Sequence, residues 1–142
     1  MRVENNLPTR GQLERQLSQA LQSLYRDQFG HSPTKFICHI FGDKVAIVVE
    51  NAVTFIEKLL LQNSQLDLAG NVRSAVDKIF TSQVKAKVKE ILNVEVAEII
   101  GNSCLQSEYI GMIVILETQP EIRYARKNNG NKAKVQSENT IF

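Results

Sequence analysis

Apolar residues recur at steps of three and four over two long segments of the chain, which predicts two amphipathic helices. The first helix is predicted over about residues 10–29, with an apolar stripe formed by Leu13, Leu17, Ala20, Leu21, Leu24 and Phe29. The second is predicted over about residues 71–92, with an apolar arc formed by Val72, Val76, Ile79, Phe80, Val84, Val88 and Ile91. Each pattern indicates one buried and one solvated face.

Capping signals place the helix starts. Residues 9–12 (Thr-Arg-Gly-Gln) fit a capping box, in which the threonine and the glutamine side chains each bind the other's backbone amide. Residues 54–57 (Thr-Phe-Ile-Glu) form a second box, which predicts a short helix that ends near Gln62. The stretch 63–70 is predicted to be a polar connection.

Segments rich in strand-forming residues predict two strand pairs, at residues 35–41, 44–49, 94–100 and 110–117. Gly42 and Asp43 supply a two-residue turn for the first pair. The second pair has a longer connection, over 101–108, which we expect to be functional or mobile. Residues 44–49 are almost wholly apolar, so we expect a central strand covered on both faces.

These elements follow the order α-β-β-α-α-β-β. Short connections favour a four-stranded, mainly antiparallel sheet with the helices packed on it, which is a single α+β domain. We expect a flexible leader at 1–8, the domain at 9–118, and a basic, disordered tail at 119–142. A lone two-layer domain leaves one sheet face uncovered, so we expect a homodimer in which a second copy covers it. The apolar alternate positions of the last strand support this expectation.

Composition narrows the class of protein. The chain has 142 residues, of which 43% are hydrophobic, and a net charge of +2, which suits a packed core and excludes a disordered chain. Its longest apolar runs, at 45–49 and 112–116, are far shorter than the roughly 20 residues of a membrane span. Two cysteines and the lack of an export signal indicate reduced thiols in a cytoplasmic protein.

The sequence has no catalytic or metal-binding signature. Cys38 and His39 are adjacent on a predicted strand, so their side chains point to opposite faces and do not share one ion. We interpret Cys38 and Cys104 as small core residues, and Glu57 as an ordinary surface carboxylate. An enzyme with Cys104 or His31 in its site is a hypothesis without a substrate, so we expect a non-enzyme with no metal and no cofactor.

Basic residues are the remaining candidates for binding. Lys78, Lys85 and Lys89 share a helix face opposite the apolar arc, and this row is either a solvated surface or a contact for phosphate or lipid headgroups. Lys87 and Gln83 fall inside the arc, where they snorkel or mark a contact with a partner. Without its basic tail, the chain has a slightly negative net charge, which argues against nucleic-acid binding. The candidate binding residues are His31, Lys78, Lys85, Lys87, Lys89, Arg123, Arg126 and Lys127.

An ordered succession of short motifs resembles a small bacterial family. The motifs are Gly-Gln-Leu-Glu at 11–14, Leu-Ser-Gln-Ala-Leu at 17–21, Gly-His-Ser-Pro at 30–33, Gly-Asp-Lys-Val at 42–45 and Ala-Val-Thr-Phe-Ile-Glu at 52–57. Their order and spacing are similar to those of the MpsC-like family over about residues 10–118. That family takes its name from the third component of a sodium-translocating, membrane-potential-generating system.

The resemblance implies a soluble accessory or regulatory subunit. A chain without a spanning segment does not itself carry sodium through hydrocarbon. We therefore expect a self-associating, cytoplasmic protein that docks peripherally on a membrane transport complex. The alternative is a small module that binds anions or nucleic acid through the lysine row and the tail.

Overall fold

A computed structural model describes residues 6–124 of the chain, and its elements follow the predicted order. The helices are α1 (Arg10–Phe29), α2 (Phe55–Gln62) and α3 (Leu66–Leu92). The strands are β1 (Lys35–Phe41), β2 (Lys44–Glu50), β3 (Val96–Cys104) and β4 (Tyr109–Leu116). Both predicted capping boxes are present, at the starts of α1 and α2. The predicted α+β class is confirmed.

The four strands form one antiparallel sheet in the order β1-β2-β4-β3. The apolar strand β2 is central, as predicted, because it pairs with β1 on one side and β4 on the other. Its register sets Ala46 opposite His39 in β1 and opposite Ile113 in β4. The edge strands are therefore β1 and β3.

One face of this sheet carries the core, against α1 and α3. Burial alternates along β1 and β4, as expected for strands with one covered face. The largest buried aromatic rings, Tyr25 of α1 and Phe80 of α3, meet edge to face with their centroids 5.1 Å apart. Ile79, predicted to lie in the buried arc of α3, is instead exposed.

The opposite face of the sheet is open to solvent in the described chain. We call it the open sheet face; its apolar members are Ile37, Ala46, Val48, Ile100, Ile113 and Ile115. The described chain does not itself cover this face of β2, so the predicted cover by a second copy stays a prediction. Val48 is 37% exposed although it lies in a central strand.

Two boundaries differ from the predictions. Helix α3 begins at Leu66, so most of the predicted connection at 63–70 is helical. Ala69, in the first turn, is buried, and this packing outweighs the polar composition of the segment.

Strand β3 extends to Cys104, so the predicted long connection shrinks to the turn at 105–108. Gly101, Asn102 and Ser103 look like turn residues, yet they pair with residues of β4. This long-range pairing overrides their local preference.

The chain continues beyond β4 along the body. Pro120 is buried, Ile122 packs against the core, and the Arg123 backbone N–H donates to the carbonyl of Pro8 over 2.8 Å. Most of the predicted leader, residues 1–5, and most of the predicted tail, residues 125–142, lie outside the described residues.

Gly101 is required by the close approach of β4. A Cβ at this position would lie 2.6 Å from Cβ of Met112 and 2.7 Å from the carbonyl oxygen of Gly111. We expect Gly101→Ala to lower the free energy of unfolding by about 1–3 kcal/mol, because the backbone must shift to admit the methyl group. Urea denaturation measures this. Gly111→Ala is the matched control, since its Cβ meets nothing within 4 Å and its effect should stay within about 1 kcal/mol. Equal effects of the two substitutions would contradict the argument.

Candidate functional site

A buried ion pair joins α2 to α3. Arg73 of α3 is 5% exposed, and Glu57 of α2 is fully buried. The Arg73 Nε lies 3.3 Å from Glu57 Oε2, in an ion pair rather than an aligned hydrogen bond. Asp77, one turn along α3, places its Oδ1 3.4 Å from the same Nε. A single guanidinium thus holds two carboxylates.

Tyr25 ties this ion pair to α1. Its hydroxyl donates to the Ala52 carbonyl over 2.6 Å and accepts from Arg73 Nη2 over 2.9 Å. Burial raises the pKa of Tyr25, and the contact with Arg73 opposes that rise. Glu57 Oε1 accepts from the Thr54 amide and hydroxyl at 3.0 and 2.8 Å. The cluster therefore fastens α1, α2 and α3 to the segment after β2.

The prediction that Glu57 is a surface carboxylate is wrong, and the sequence analysis did not single out Arg73. A signal for Arg73 was present: it lies three and seven residues before Val76 and Phe80, on the buried side of α3. An arginine in that stripe requires a buried anion, because an isolated charge is costly to bury. Glu57, which also closes the capping box with Thr54, is that anion.

A groove of ≈ 480 Å³ lies between α3 and β3, next to the buried cluster. We call it the α3/β3 groove. Val96 and Ile99 provide its apolar lining. Ser103, on β3, donates its hydroxyl to Asp77, so the buried cluster reaches the wall of the groove. The residues that line it are Asp77, Lys78, Thr81, Ser82, Lys85, Val96, Glu98 and Ile99.

The four candidate lysines of α3 divide into two pairs, which separates Lys89 from the other two members of the predicted row and sets it with Lys87 of the apolar arc. Lys78 and Lys85 line the α3/β3 groove, and neither has an ion-pair partner among the described residues. Lys89 Nζ lies 3.0 Å from Glu95 Oε2, and Lys87 Nζ lies 3.2 Å from Glu90 Oε1. Gln83, the other irregular position of the arc, donates to Gln28 of α1 over 2.7 Å. The structure thus brings two of the four lysines to one cavity.

The other candidate basic residues lie elsewhere. His31 Nε2 is 2.7 Å from the Asn51 carbonyl oxygen, which joins the α1–β1 loop to the segment after β2. Arg123 is exposed and far along the chain from the groove residues. Arg126 and Lys127 lie outside the described residues.

The two thiols differ. Cys38 is buried in the core, and burial raises its pKa to about 11. Cys104 is exposed at the end of β3, so its predicted place in the core is wrong. Hydrogen bonds with Ser107 lower the pKa of Cys104. His39 is exposed, and its side chain lies on the face of β1 opposite to that of Cys38, as predicted. Between residues 6 and 124 no three histidine, cysteine or acidic side chains are grouped to hold a metal ion.

The fold and the site define an α+β domain with two helices on one face of an antiparallel sheet, an open second face and a groove along one edge strand. A family model described as "Na+-translocating membrane potential-generating system (MpsC)" matches residues 9–118. The match covers most of the chain, which therefore belongs to the MpsC family. No curated protein and no solved structure matches it. None of the helices described here is both long and apolar enough to cross a membrane.

The buried Arg73–Glu57 ion pair leads to a prediction about the stability of the protein. We expect Arg73→Met to lower the free energy of unfolding by about 3–5 kcal/mol, because it leaves Glu57 buried without a counter-charge. Adding Glu57→Gln should recover part of this loss, since glutamine keeps an oxygen for Thr54 without a charge. Urea denaturation of both single variants and the double variant measures the coupling.

Arg26→Met is the control for this cycle. Arg26 makes an exposed ion pair with Asp27, with Nε and Oδ1 3.3 Å apart, and its loss should cost at most about 1 kcal/mol. A fall as small for Arg73→Met as for Arg26→Met would refute the buried-pair account.

Proposed function

We propose that this protein is a non-catalytic accessory subunit, which self-associates and docks on a membrane transport or cation-translocating system. Membership of the MpsC family supports the link to such a system. The observation that carries the proposal is the inverted orientation of α2. Its one fully buried residue is Glu57, while three of its five large apolar side chains are exposed and the other two are half-buried. A helix of this kind fits a protein that binds a partner.

The outward side of α2 continues onto the first turn of α3. We call these positions the α2 surface; its members are Phe55, Ile56, Leu59, Leu66 and Leu68. Phe55 is 75% exposed and Leu66 is 63% exposed. Lys58, also on α2, is held by Glu108 with Nζ and Oε1 3.2 Å apart, and Asp67 is acidic. An apolar surface without free basic residues favours a protein contact over an anionic lipid surface.

The open sheet face supports self-association. Its apolar side chains lie on all four strands, and the row through its middle joins Ala46 of β2, Ile113 of β4 and Ile100 of β3. Face-to-face packing of two sheets is a common way to bury such a surface. Each valine or isoleucine side chain that becomes fully buried there contributes roughly 1.5–3 kcal/mol. An isologous pair of open sheet faces is thus the arrangement that we propose.

The alternative, a module that binds anions or nucleic acid, has less support. Lys87 and Lys89 are engaged with carboxylates, so the row offers only Lys78 and Lys85 to a ligand. Glu98 and Asp77 share the groove with them, which weakens its attraction for a highly charged anion.

Self-association is tested on the open sheet face. Light scattering of the full chain should give twice the 16.0 kDa chain mass. Val48→Lys/Ile100→Lys should give the single-chain mass, because it places charges in the middle of the apolar contact. Ile79→Lys is the matched control, an exposed isoleucine on α3, and should leave the dimer intact. A single-chain mass for the unsubstituted protein at micromolar concentration would disprove the dimer.

Docking is tested on the α2 surface. The unsubstituted chain, used as bait on detergent-solubilised native membranes, should recover an integral membrane transport protein. Phe55→Ser/Leu59→Ser should recover about tenfold less, because two exposed anchors are lost without a change in the core. Mass spectrometry measures the recovery, and Ile79→Ser is the control. Equal recovery by both variants would contradict docking through α2, and the absence of any membrane protein would contradict the proposed function.

A further inference from the structure

The two edge strands of the sheet differ in how their outer edges are covered. At the β1 edge, the Ile40 N–H donates to Glu14 Oε2 of α1 over 2.8 Å, and the same carboxylate oxygen lies 3.2 Å from His39 Nδ1. The Glu14 side chain thus occupies this edge at Ile40. Proteins commonly block their edge strands in such ways, because unpaired backbone groups attract another strand.

The β3 edge has no comparable cover. With nine residues, β3 is longer than the other three strands, and it pairs with β4 alone. Over the described chain, the other hydrogen bonds of its side chains and amides are few: Ser103 to Asp77, a local bond from the Ser103 N–H to Asn102 Oδ1, and the contacts of Cys104 with Gln106 and Ser107 in the adjoining turn. Glu98 is the only charged residue in β3. A β-bulge between Val96 and Glu98 interrupts the ladder at the start of β3. Beyond it, from Glu98 to Cys104, the edge is uncovered in the described chain and available for pairing.

The α3/β3 groove runs beside this open edge. Its walls come from α3 and β3, and Val96 and Ile99 give it an apolar lining. A strand added to β3 would project alternate side chains toward the helix layer, and therefore toward the groove. The volume of ≈ 480 Å³ is in the usual range for binding cavities, roughly 300–1,000 Å³. Edge and groove together match the way in which extended peptides are bound by strand addition.

The charges on the groove indicate the kind of peptide. Lys78 and Lys85 lie on the helix wall, seven residues apart, which is about 10 Å along the axis of α3. Residues two to four positions apart on a strand are about 7–13 Å apart, so two acidic residues of a bound segment reach both ammonium groups. The apolar lining accommodates aliphatic side chains between them. Asp77 and Glu98 also line the groove, and Asp77 is engaged by Arg73 and Ser103. An extended segment with apolar residues and two acidic residues, rather than a highly charged one, is therefore complementary to the groove.

We propose that the β3 edge and the α3/β3 groove bind an extended acidic peptide segment of another protein, which adds to the sheet as a fifth strand. Its backbone pairs with β3, and its carboxylates meet Lys78 and Lys85. This proposal is independent of the function proposed above, because neither the α2 surface nor the open sheet face takes part. It assigns a ligand class to the groove.

Two other occupants fit less well. Pairing of β3 with β3 of a second copy would bring Lys78 and Lys85 of both chains to one seam, where like charges repel. The C-terminal part of this chain holds Arg126, Lys127, Lys132 and Lys134 against a single acidic residue, Glu138, after position 124. This segment is basic, so Lys78 and Lys85 on the helix wall would repel it.

The test is selection of a phage-displayed library of random linear peptides on the immobilised full chain. Fluorescence anisotropy then measures the binding of each enriched peptide to three proteins: the unsubstituted chain, Lys78→Glu/Lys85→Glu and Lys87→Glu/Lys89→Glu. The two variants change the same number of charges on the same helix. We expect about tenfold weaker binding for the groove variant, because two attractive contacts become repulsive, and little change for the control.

Amide hydrogen exchange, measured by NMR, tests whether the bound peptide pairs with the edge of β3. On binding, the outward amides of β3 should become protected, while those of β1 stay unchanged. Lys78→Gln/Lys85→Gln replaces the groove variant if charge reversal prevents folding. Three results would overturn the proposal: no enriched peptide, equal binding to both variants, or β3 amides already protected in the free protein by pairing with a second copy. A failed membrane pull-down does not bear on it.

Discussion

The buried contact between Arg73 and Glu57 is the constraint on which the arrangement of the helices depends. A carboxylate with no exposure needs a counter-charge, and Arg73 supplies it from the buried side of α3. Since α2 has only eight residues, turning Glu57 inward leaves little of the helix to face the core. Phe55, Ile56 and Leu59 therefore face solvent. The ion pair that holds α2 in place also creates the apolar surface that we propose for docking.

The same cluster links the core to the groove. Arg73 holds Asp77, and Asp77 accepts the hydroxyl of Ser103 in β3. The contact of Asp77 with Ser103 thus fixes α3 to β3 at the groove, while Lys78 and Lys85 of the same helix have no ion-pair partner among the described residues. A cavity with one anchored wall and two unpaired cations on a helix is suited to binding, since the cations keep their attraction for a ligand.

The sheet distributes its surfaces unevenly. Two helices cover one face, a carboxylate of α1 covers the β1 edge, and the second face and the β3 edge remain uncovered in the described chain. An apolar face and an open edge are each costly in solvent for a different reason: the face exposes hydrocarbon, and the edge exposes backbone groups that attract another strand. Self-association and peptide binding, as we propose them, use different sides of the sheet, its open face and its β3 edge.

The sequence by itself determined the elements whose signals are local. Threonine capping boxes, the helical periodicity of residues 10–29 and the Gly42-Asp43 turn act over a few residues, and all of them are present in the structure. The motifs also identified the family, which the match over 9–118 confirms. The α+β class followed from the order of these elements.

Only the tertiary structure decided the features that depend on distant partners. Gly101, Asn102 and Ser103 favour a turn locally, yet they belong to β3 because β4 pairs with them. Glutamate is usually a surface residue, yet Glu57 is buried because Arg73, 16 positions later, forms an ion pair with its carboxylate. Lys78 and Lys85 line the α3/β3 groove because β3 lies beside α3, and the pattern of the helix alone does not give that placement. Local patterns carry no record of such long-range contacts, and these contacts shape the candidate site.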